Sequence, residues 1–335
     1  MRFLMTGATG FLGRHLFATL RAAGHHATVL ARDAARATAM LPGARVHIWN
    51  GVVGLPPVEA FDEVDVVVNL VGESVAKRWT EERKLRFRDS RVLPTRALVE
   101  RLATLPAANG RPSALISMAG TGIYGDRGDE LVTETSAPGT GFLAKLAQEW
   151  EGAALDAEKL GMRVVIMRSG AVLGRDGGML PTILRPFRLG LGARFGDGRQ
   201  YFPWIHLTDL MGLMMHAAGH EGMRGPVNAV APEPTTNAEL VAALARALGK
   251  SAPFALPRFA LKLAFGSGMA EEMLLGGQRA SPVRALEAGY EFRFPLLAGA
   301  LRDLVASPSA VAPAPGPSDA GASGPSPGAA SDASG

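Results

Sequence analysis

The sequence predicts an α/β protein with a doubly wound parallel sheet and a small helix-rich C-terminal subdomain. Strand-like apolar runs alternate with helical stretches over about the first 250 residues, which is the pattern of parallel-sheet folds. One run, Val64–Leu70, has the apolar character of a strand buried on both faces. A glycine-rich loop lies between the first strand and the first helix, so we expect a Rossmann-type sheet.

The elements follow from hydrophobic periodicity and from turn-forming residues. The predicted strands are Arg2–Met5, Ala27–Leu30, Val64–Leu70, Ala114–Ser117 and Val164–Arg168. The predicted helices are Phe11–Ala23, Thr80–Thr104 with an interruption near Pro94, and Phe142–Leu160.

Changes in composition predict the domain organisation. We expect a main domain over residues 1–250 and a small C-terminal domain over 251–306, where prolines punctuate a helix-rich segment. Residues 307–335 are almost all Ala, Ser, Pro, Gly and Asp. Such a segment buries too little apolar surface to offset its ordering entropy, so we predict a disordered tail.

Composition excludes several classes of function. The chain has 335 residues and a net charge of +4, and its basic residues form no cluster of the kind that binds nucleic acid. It has no cysteine, which excludes a disulfide scaffold, a thiolate metal site and a cysteine nucleophile. No metal-ligand spacing occurs, and no apolar run reaches the roughly 18 residues that span a membrane. We therefore expect no metal, no nucleic-acid partner, no membrane association and a cytoplasmic location.

The strongest motif is the segment from Thr6 to Gly13, which reads TGATGFLG. Gly7 allows a tight turn, Gly10 allows the backbone to approach a pyrophosphate, and Gly13 allows the helix to pack closely on the strand. The free N–H groups and the dipole of the helix N-terminus favour phosphate. The alternative is a tight turn that binds no ligand. The predicted cofactor-binding residues are Gly7, Thr9, Gly10, Phe11, Leu12, Gly13, Arg32, Leu70, Gly72 and Glu73.

The end of the second strand predicts which dinucleotide binds. Folds that prefer NAD usually place an acidic residue there, on the ribose 2′-hydroxyl. Here Ala31 stands at that position and Arg32 follows it. A guanidinium suits a 2′-phosphate, so we predict NADP(H) as the cofactor. The alternative is that Arg32 is a solvated residue that pairs with Asp33.

Several long motifs resemble a known family. TGATGFLG (6–13), NLVG (69–72) and DGRQYFPWIHLTDL (197–210) resemble the extended short-chain dehydrogenase/reductase superfamily. NLVGESVAKRWTEERKLRFRDSRV (69–92) and GGMLPTILRPFRLGLGARFGDGRQYFPWIH (177–206) look like its atypical branch, the epimerase-family or epimerase-like proteins. This resemblance implies an NAD(P)-binding domain followed by a C-terminal domain of unknown function. Some members of that branch carry a label as cell-division inhibitors.

The catalytic pair of the superfamily, Tyr-x-x-x-Lys, is missing. The residues four positions after Tyr124, Tyr201 and Tyr290 are Gly128, Ile205 and Phe294. If Glu151 matches the glutamate of the superfamily's later helix, then Leu143 and Ala147 occupy the catalytic positions, and Lys145 is out of register with them.

Three hydroxyl groups remain as catalytic candidates near the nicotinamide: those of Ser117, Thr121 and Tyr124. Tyr124 is the best proton donor of the three. The alternative is that its ring packs under the loop, since buried tyrosines commonly serve as packing with a bonded hydroxyl.

These observations leave three hypotheses for function. The first is a reductase or other oxidoreductase acting on a carbonyl or hydroxyl group of a small, mostly apolar substrate, with Tyr124 or a water handling the proton. The second is a non-catalytic binding or regulatory protein that depends on NADPH and acts through a protein partner or a homodimer. The third is a nucleotide-sugar epimerase, which is opposed by Phe202 at the position where such enzymes commonly have an arginine.

Overall fold

The computed structural model describes residues 1–107 and 110–305. The predicted tail, 307–335, lies outside the described residues. In chain order the strands are β1 (Arg2–Thr6), β2 (His26–Ala31), β3 (Arg45–Ile48), β4 (Val66–Asn69), β5 (Ala114–Gly120), β6 (Leu131–Val132), β7 (Arg163–Ser169), β8 (Ala171–Leu173), β9 (Ala193–Phe195), β10 (Trp204–His206), β11 (Gly225–Ala229), β12 (Phe254–Leu256) and β13 (Arg279–Ala280).

Helices connect most of these strands. They are α1 (Phe11–Ala22), α2 (Ala34–Met40), α3 (Glu81–Thr104), α4 (Phe142–Leu155), α5 (Leu180–Arg188), α6 (Leu207–Gly219), α7 (Asn237–Leu248), α8 (Arg258–Phe265), α9 (Ser267–Met269), α10 (Val283–Glu287) and α11 (Leu297–Val305). Tighter 3₁₀ turns cover Val58–Phe61, Thr121–Tyr124 and Asp156–Leu160, and a wider π turn covers Ala270–Leu275.

The central sheet has seven strands in the order β11-β7-β5-β4-β1-β2-β3, and all its neighbouring pairs are parallel. The chain starts at β1, builds outward to β3, and then returns to β4 on the other side of β1. In such sheets ligands bind outside the carboxyl ends of the strands, at the point where the order reverses. That point lies between β1 and β4.

Helices cover both faces of the sheet. One hydrophobic cluster joins the sheet to α1 and α6, and a second joins it to α3 and the turn at Asp156–Leu160. Val66, Val67 and Val68 of β4 are each at most 2% exposed, as their unbroken apolar run predicts. The predicted fold class is therefore confirmed for the described residues.

Two predicted helix details are wrong. Helix α3 runs without interruption through Pro94, because residues on both sides of it, such as Val92 and Leu98, are buried in the core and hold the helix despite the missing N–H. The helix predicted to reach Leu160 leaves α geometry at Leu155 and ends in a tighter turn.

The segment from β12 to α11 supplies helices, as predicted, and packs on the rest of the molecule. Helix α11 shares a hydrophobic cluster with α5 and α7, and β13 pairs with β6. Residues Met1–Val305 pack as one compact unit, so a domain boundary near residue 250 stays a prediction.

Candidate functional site

A cleft of about 510 Å³ opens at the carboxyl edge of the sheet, across the reversal point between β1 and β4. It is bounded by the ends of β1, β2, β3 and β4 and by one side of α3. Its lining includes the predicted residues Gly7, Thr9, Gly10, Arg32, Leu70, Gly72 and Glu73.

The glycine loop shapes the floor of this cleft. Gly7 has φ +65°, and a Cβ on it would lie 2.7 Å from the carbonyl oxygen of Leu70, so the two strand ends meet here only without a side chain. A Cβ on Gly13 would overlap the backbone of Ala8 and the carbonyl oxygen of Gly7. Gly10 is the N-cap of α1, and no side chain in the described part of the chain caps that end. The first N–H groups of α1 are therefore left for an anion.

Phe11, Leu12 and Gly13 do not line the cleft. The Phe11 ring packs beside the loop after β8, where a Cβ on Gly174 or Gly177 would collide with it. Leu12 packs against the hydrophobic core. A ligand would meet these residues only through the backbone N–H groups of the first turn of α1.

A basic corner lies at the end of β2. A recess of about 310 Å³ is lined by Thr9, Ala31, Arg32, Asp33 and Arg36. The Asp33 carboxylate caps α2 by accepting from the Arg36 N–H at 2.9 Å. Within residues 1–107 and 110–305, neither arginine side chain has a hydrogen bond or an ion pair. The alternative that Arg32 pairs with Asp33 is therefore wrong.

Buried hydrogen bonds fix the end of β4 to its neighbours. The Thr6 hydroxyl donates to Asn69 Oδ1 at 2.7 Å, and Asn69 Nδ2 donates to Thr95 Oγ1 at 2.8 Å and to Ser117 Oγ at 3.2 Å. These bonds link β1, β4, β5 and α3. Ser117 is fully buried by this arrangement, inside β5 and away from the cleft.

Gly72, just beyond β4, lies against the guanidinium of Arg91. A Cβ on Gly72 would stand 3.0 Å from Arg91 Cζ. Arg91 lies over the Trp150 ring, 5.1 Å from its centroid, and donates to the carbonyl oxygen of Phe87 at 3.0 Å. Burial lowers the pKa of Arg91 to about 10, so the group is still a cation at neutral pH.

Glu73 lines the same side of the cleft but already has cationic partners. Lys77 Nζ donates to its carboxylate at 2.7 Å, and Arg86 Nε lies 3.7 Å away. The hydrogen bond from Lys77 lowers the pKa of Glu73.

Tyr124 ends the 3₁₀ turn that follows β5, and its hydroxyl belongs to a buried hydrogen-bond network. Its side chain is fully buried, and its hydroxyl donates to Asn228 Oδ1 at 2.6 Å and accepts from Arg168 Nη1 at 3.0 Å. Arg168 in turn forms a bidentate pair with the buried carboxylate of Glu151, at 2.9 and 2.8 Å. Desolvation raises the pKa of Tyr124, although the Arg168 charge opposes it. This environment favours the packing interpretation of Tyr124.

Thr121 begins the turn that follows β5 and is 5% exposed. Among the described residues its hydroxyl has no hydrogen-bond partner. Of the three catalytic candidates, Thr121 is therefore the one whose hydroxyl is not already engaged.

The first half of α4 holds the two positions at which the resemblance would place the catalytic pair, Leu143 and Ala147. Ala147 is buried, whereas Lys145 is exposed on another face of the helix. The Glu272 carboxylate caps α4, accepting from the N–H groups of Phe142 and Leu143 at 2.9 Å each. Glu272, which belongs to the C-terminal segment, thus binds the N-terminus of α4.

Two models of known families match the chain. The one described as the NAD dependent epimerase/dehydratase family matches residues 3–229, and one described as a domain of unknown function, DUF1731, matches residues 256–304. The chain belongs to the NAD dependent epimerase/dehydratase family. The resemblance found in the sequence motifs is thereby confirmed.

Relatives in this epimerase family match nearly end to end. An epimerase family protein of Mycobacterium leprae (strain TN) is 38% identical over 306 residues, which cover 91% of this chain and 96% of that protein. The human epimerase family protein SDR39U1 is 37% identical over 313 residues, covering 91% and 100%.

Solved structures share the fold. A crystal structure of human SDR39U1 (isoform2) with NADPH has a TM-score of 0.80 at 36% identity and covers 91% of this chain and 99% of that one. The UDP-glucuronic acid 4-epimerase of Bacillus cereus, in complex with UDP-glucuronic acid and NAD, has a TM-score of 0.69 at 17% identity and covers 91% and 99%. At that identity the second match shows the fold alone.

The structure adds site residues that the sequence analysis missed. Arg36 joins Arg32 in the basic corner, and Trp49, Asn50 and Gly51 after β3 form a wall of the cleft. The sequence held one usable signal, an arginine in the first turn of the helix after β2. The wall after β3 has no motif, since it arises where distant segments meet.

Proposed function

We propose that the protein binds NADP(H) in this cleft and acts as an oxidoreductase on a carbonyl or hydroxyl group of a small substrate. The observation that carries the proposal is the basic corner. Arg32 and Arg36 have no side-chain partner within residues 1–107 and 110–305. They stand at the β2 end of a cleft that continues over the glycine loop to Gly72. The crystal structure of human SDR39U1 with NADPH supports the same cofactor assignment.

Each part of the cleft suits one part of the dinucleotide. The first N–H groups of α1, after Gly10, suit the pyrophosphate. Arg32 and Arg36 suit the ribose 2′-phosphate, because guanidinium groups bind phosphate through several hydrogen bonds. The nicotinamide half would then lie toward Gly72 and the end of β5. When bound, the cofactor supplies or accepts the hydride.

The proton is the second requirement of a reduction, because the carbonyl oxygen must gain one when its carbon gains the hydride. The Tyr124 hydroxyl is a poor source, since it is buried and donates to Asn228. Ser117 lies inside β5 and accepts from Asn69. We assign the proton to a water at the end of β5, with the Thr121 hydroxyl as the group that positions it.

A non-catalytic function is the second candidate. Leu143 and Ala147 stand at the two catalytic positions that the resemblance identifies, and the one lysine of α4, Lys145, is out of register with them. Under this hypothesis NADPH occupancy sets the conformation that a protein partner or a second copy recognises, as in a regulatory role in cell division. A nucleotide-sugar epimerase is the third candidate and is opposed by Phe202.

A turnover assay separates the first two candidates. Purified protein with NADPH would be incubated with aliphatic and aromatic aldehydes and ketones while cofactor oxidation is followed. We expect oxidation with at least one carbonyl class, a slower rate in Thr121→Val with unchanged NADPH affinity, and no comparable loss in Thr135→Val, a control at an exposed threonine. Tight NADPH binding without oxidation by any compound would favour the regulatory function.

The proposal includes a cytoplasmic location, which stays a prediction. No helix in the described part of the chain is long and apolar enough to cross a membrane.

A further inference from the structure

Arg279 occupies an unusual position at the carboxyl edge of the sheet. It begins the short strand β13, which pairs with β6 just beyond the end of β5. Its guanidinium lies over the ring of Tyr201, 5.7 Å from the centroid. Tyr201 precedes Pro203, whose carbonyl oxygen accepts from Ala171 just after β7. Arg279 thus lies beside the ends of β5 and β7, on the side of the reversal point opposite the basic corner.

Among the described residues its guanidinium has no acceptor. Nε of Arg279 is buried without a hydrogen bond, and the described residues offer the side chain no ion pair. Other half-buried arginines have several acceptors: Arg111 donates to three carbonyl oxygens, and so does Arg163. Among the half-buried arginines in residues 1–107 and 110–305, Arg279 alone has neither a hydrogen bond nor an ion pair from its side chain.

The backbone around Arg279 is held firmly. Gln278 Nε2 donates to the carbonyl oxygen of Gly125 at 2.7 Å, and the Gly277 N–H donates to Asp126 Oδ1 at 3.2 Å. A Cβ on Gly277 would overlap the backbone of Tyr201, so the two segments are in direct contact. An unpaired cation on so fixed a support is a feature of binding sites, where the ligand completes the hydrogen bonds.

We propose that Arg279 binds an oxyanion on the substrate, a carboxylate or a phosphate, while the aromatic segment at Tyr201 and Phe202 contacts the apolar part. Both anions match the fork of N–H groups on a guanidinium. This inference rests on the proposed oxidoreductase function, because it assigns a second group of the same substrate, remote from the carbon that reacts. It also changes the expected substrate from a mostly apolar molecule to one that carries an anionic group on an apolar body.

The test is a two-step calorimetric titration of the full chain. NADPH is added to saturation first, which fills the basic corner. Acetate, benzoate or inorganic phosphate is then added, each at constant ionic strength against chloride. We expect saturable binding of at least one anion, and the responding anion tells a carboxylate from a phosphate. In Arg279→Met the anion affinity should fall about tenfold or more, because a charge-assisted hydrogen bond is lost. Arg302→Met, at an exposed arginine that bonds only within α11, should leave it unchanged.

Equal anion affinity in Arg279→Met and wild type would overturn the proposal, as would the absence of saturable binding to wild type. A wild type that fails to bind NADPH in the first step would instead refute the cofactor assignment. If Arg279→Met does not fold, Arg279→Lys replaces it, since lysine keeps the charge but lacks the planar fork. Unchanged carboxylate and phosphate affinities in that variant would also overturn the proposal.

Discussion

The basic corner at Arg32 and Arg36 differs from the Tyr124 network, which consists of Tyr124, Asn228, Arg168 and Glu151. The difference is whether the charged groups have partners within the protein. At the end of β2, Arg32 and Arg36 are exposed and have no partner in the described chain. On β7, by contrast, Arg168 is buried and engages both Glu151 and Tyr124. The first region is ready for an anion from outside, whereas the second is complete without a ligand.

This difference separates binding from architecture better than residue type does. A tyrosine near a nicotinamide suggests catalysis, and an arginine on the surface suggests solvation. The contacts change the interpretation of Tyr124, because a group whose hydrogen bonds are all made within the protein has little left to offer a ligand. They leave Arg32 and Arg36 available for the 2′-phosphate that the sequence predicts. We therefore expect substitutions in the Tyr124 network to change stability, and substitutions in the basic corner to change cofactor affinity.

The largest effect is expected from Glu151→Gln. This change leaves the buried charge of Arg168 without its counter-ion, and breaking such a pair costs about 3–5 kcal/mol of the free energy of unfolding. Urea denaturation measures it. Glu149→Gln is a matched control on the same helix, because the Arg88–Glu149 pair is exposed and should contribute little. If Glu151→Gln unfolds at the same urea concentration as the control, the network does not stabilise the fold as described.

The next effect is on cofactor affinity. Arg32→Ala should weaken NADPH binding about tenfold or more by removing a charge-assisted contact to the 2′-phosphate, and Arg36→Ala should act in the same direction. NADH affinity and the free energy of unfolding should stay unchanged, since neither side chain has a partner within the described residues. Arg21→Ala, an exposed change on α1 outside the cleft, serves as the control. If NADH affinity fell as much as NADPH affinity, these arginines would not be contacting the 2′-phosphate.

A smaller effect is expected from Tyr124→Phe. The ring remains packed, but the hydrogen bonds to Asn228 and Arg168 are lost, which costs about 1–2 kcal/mol of stability. NADPH affinity should not change, and turnover per folded molecule should not change either. A large loss of turnover with normal stability would return Tyr124 to the mechanism and contradict its assignment to architecture.

Local signals in the sequence predicted the fold well. The apolar run of β4 and the spacing of Gly7, Gly10 and Gly13 act over a few residues, and the structure has both elements where they were expected. The continuity of α3 through Pro94 was not predictable in the same way, because it depends on packing against distant strands.

The site was predicted only in part, for a related reason. The partner of Tyr124 is Asn228, 104 residues away, so the hydroxyl's engagement has no local signature. The unpaired state of Arg279 is likewise a property of its three-dimensional surroundings. Sequence motifs identify groups that could bind a ligand, whereas the structure shows which of them already form hydrogen bonds within the protein.

The central claim is that the unpaired arginines and the glycine loop form one NADP(H) site. Calorimetric titration of the purified full chain with NADPH and then, separately, with NADH tests it most directly. We predict that NADPH binds at least about tenfold more tightly than NADH, because the dinucleotides differ only in the 2′-phosphate that Arg32 and Arg36 would contact. Equal affinities, tighter NADH binding, or no binding of either dinucleotide would contradict the claim.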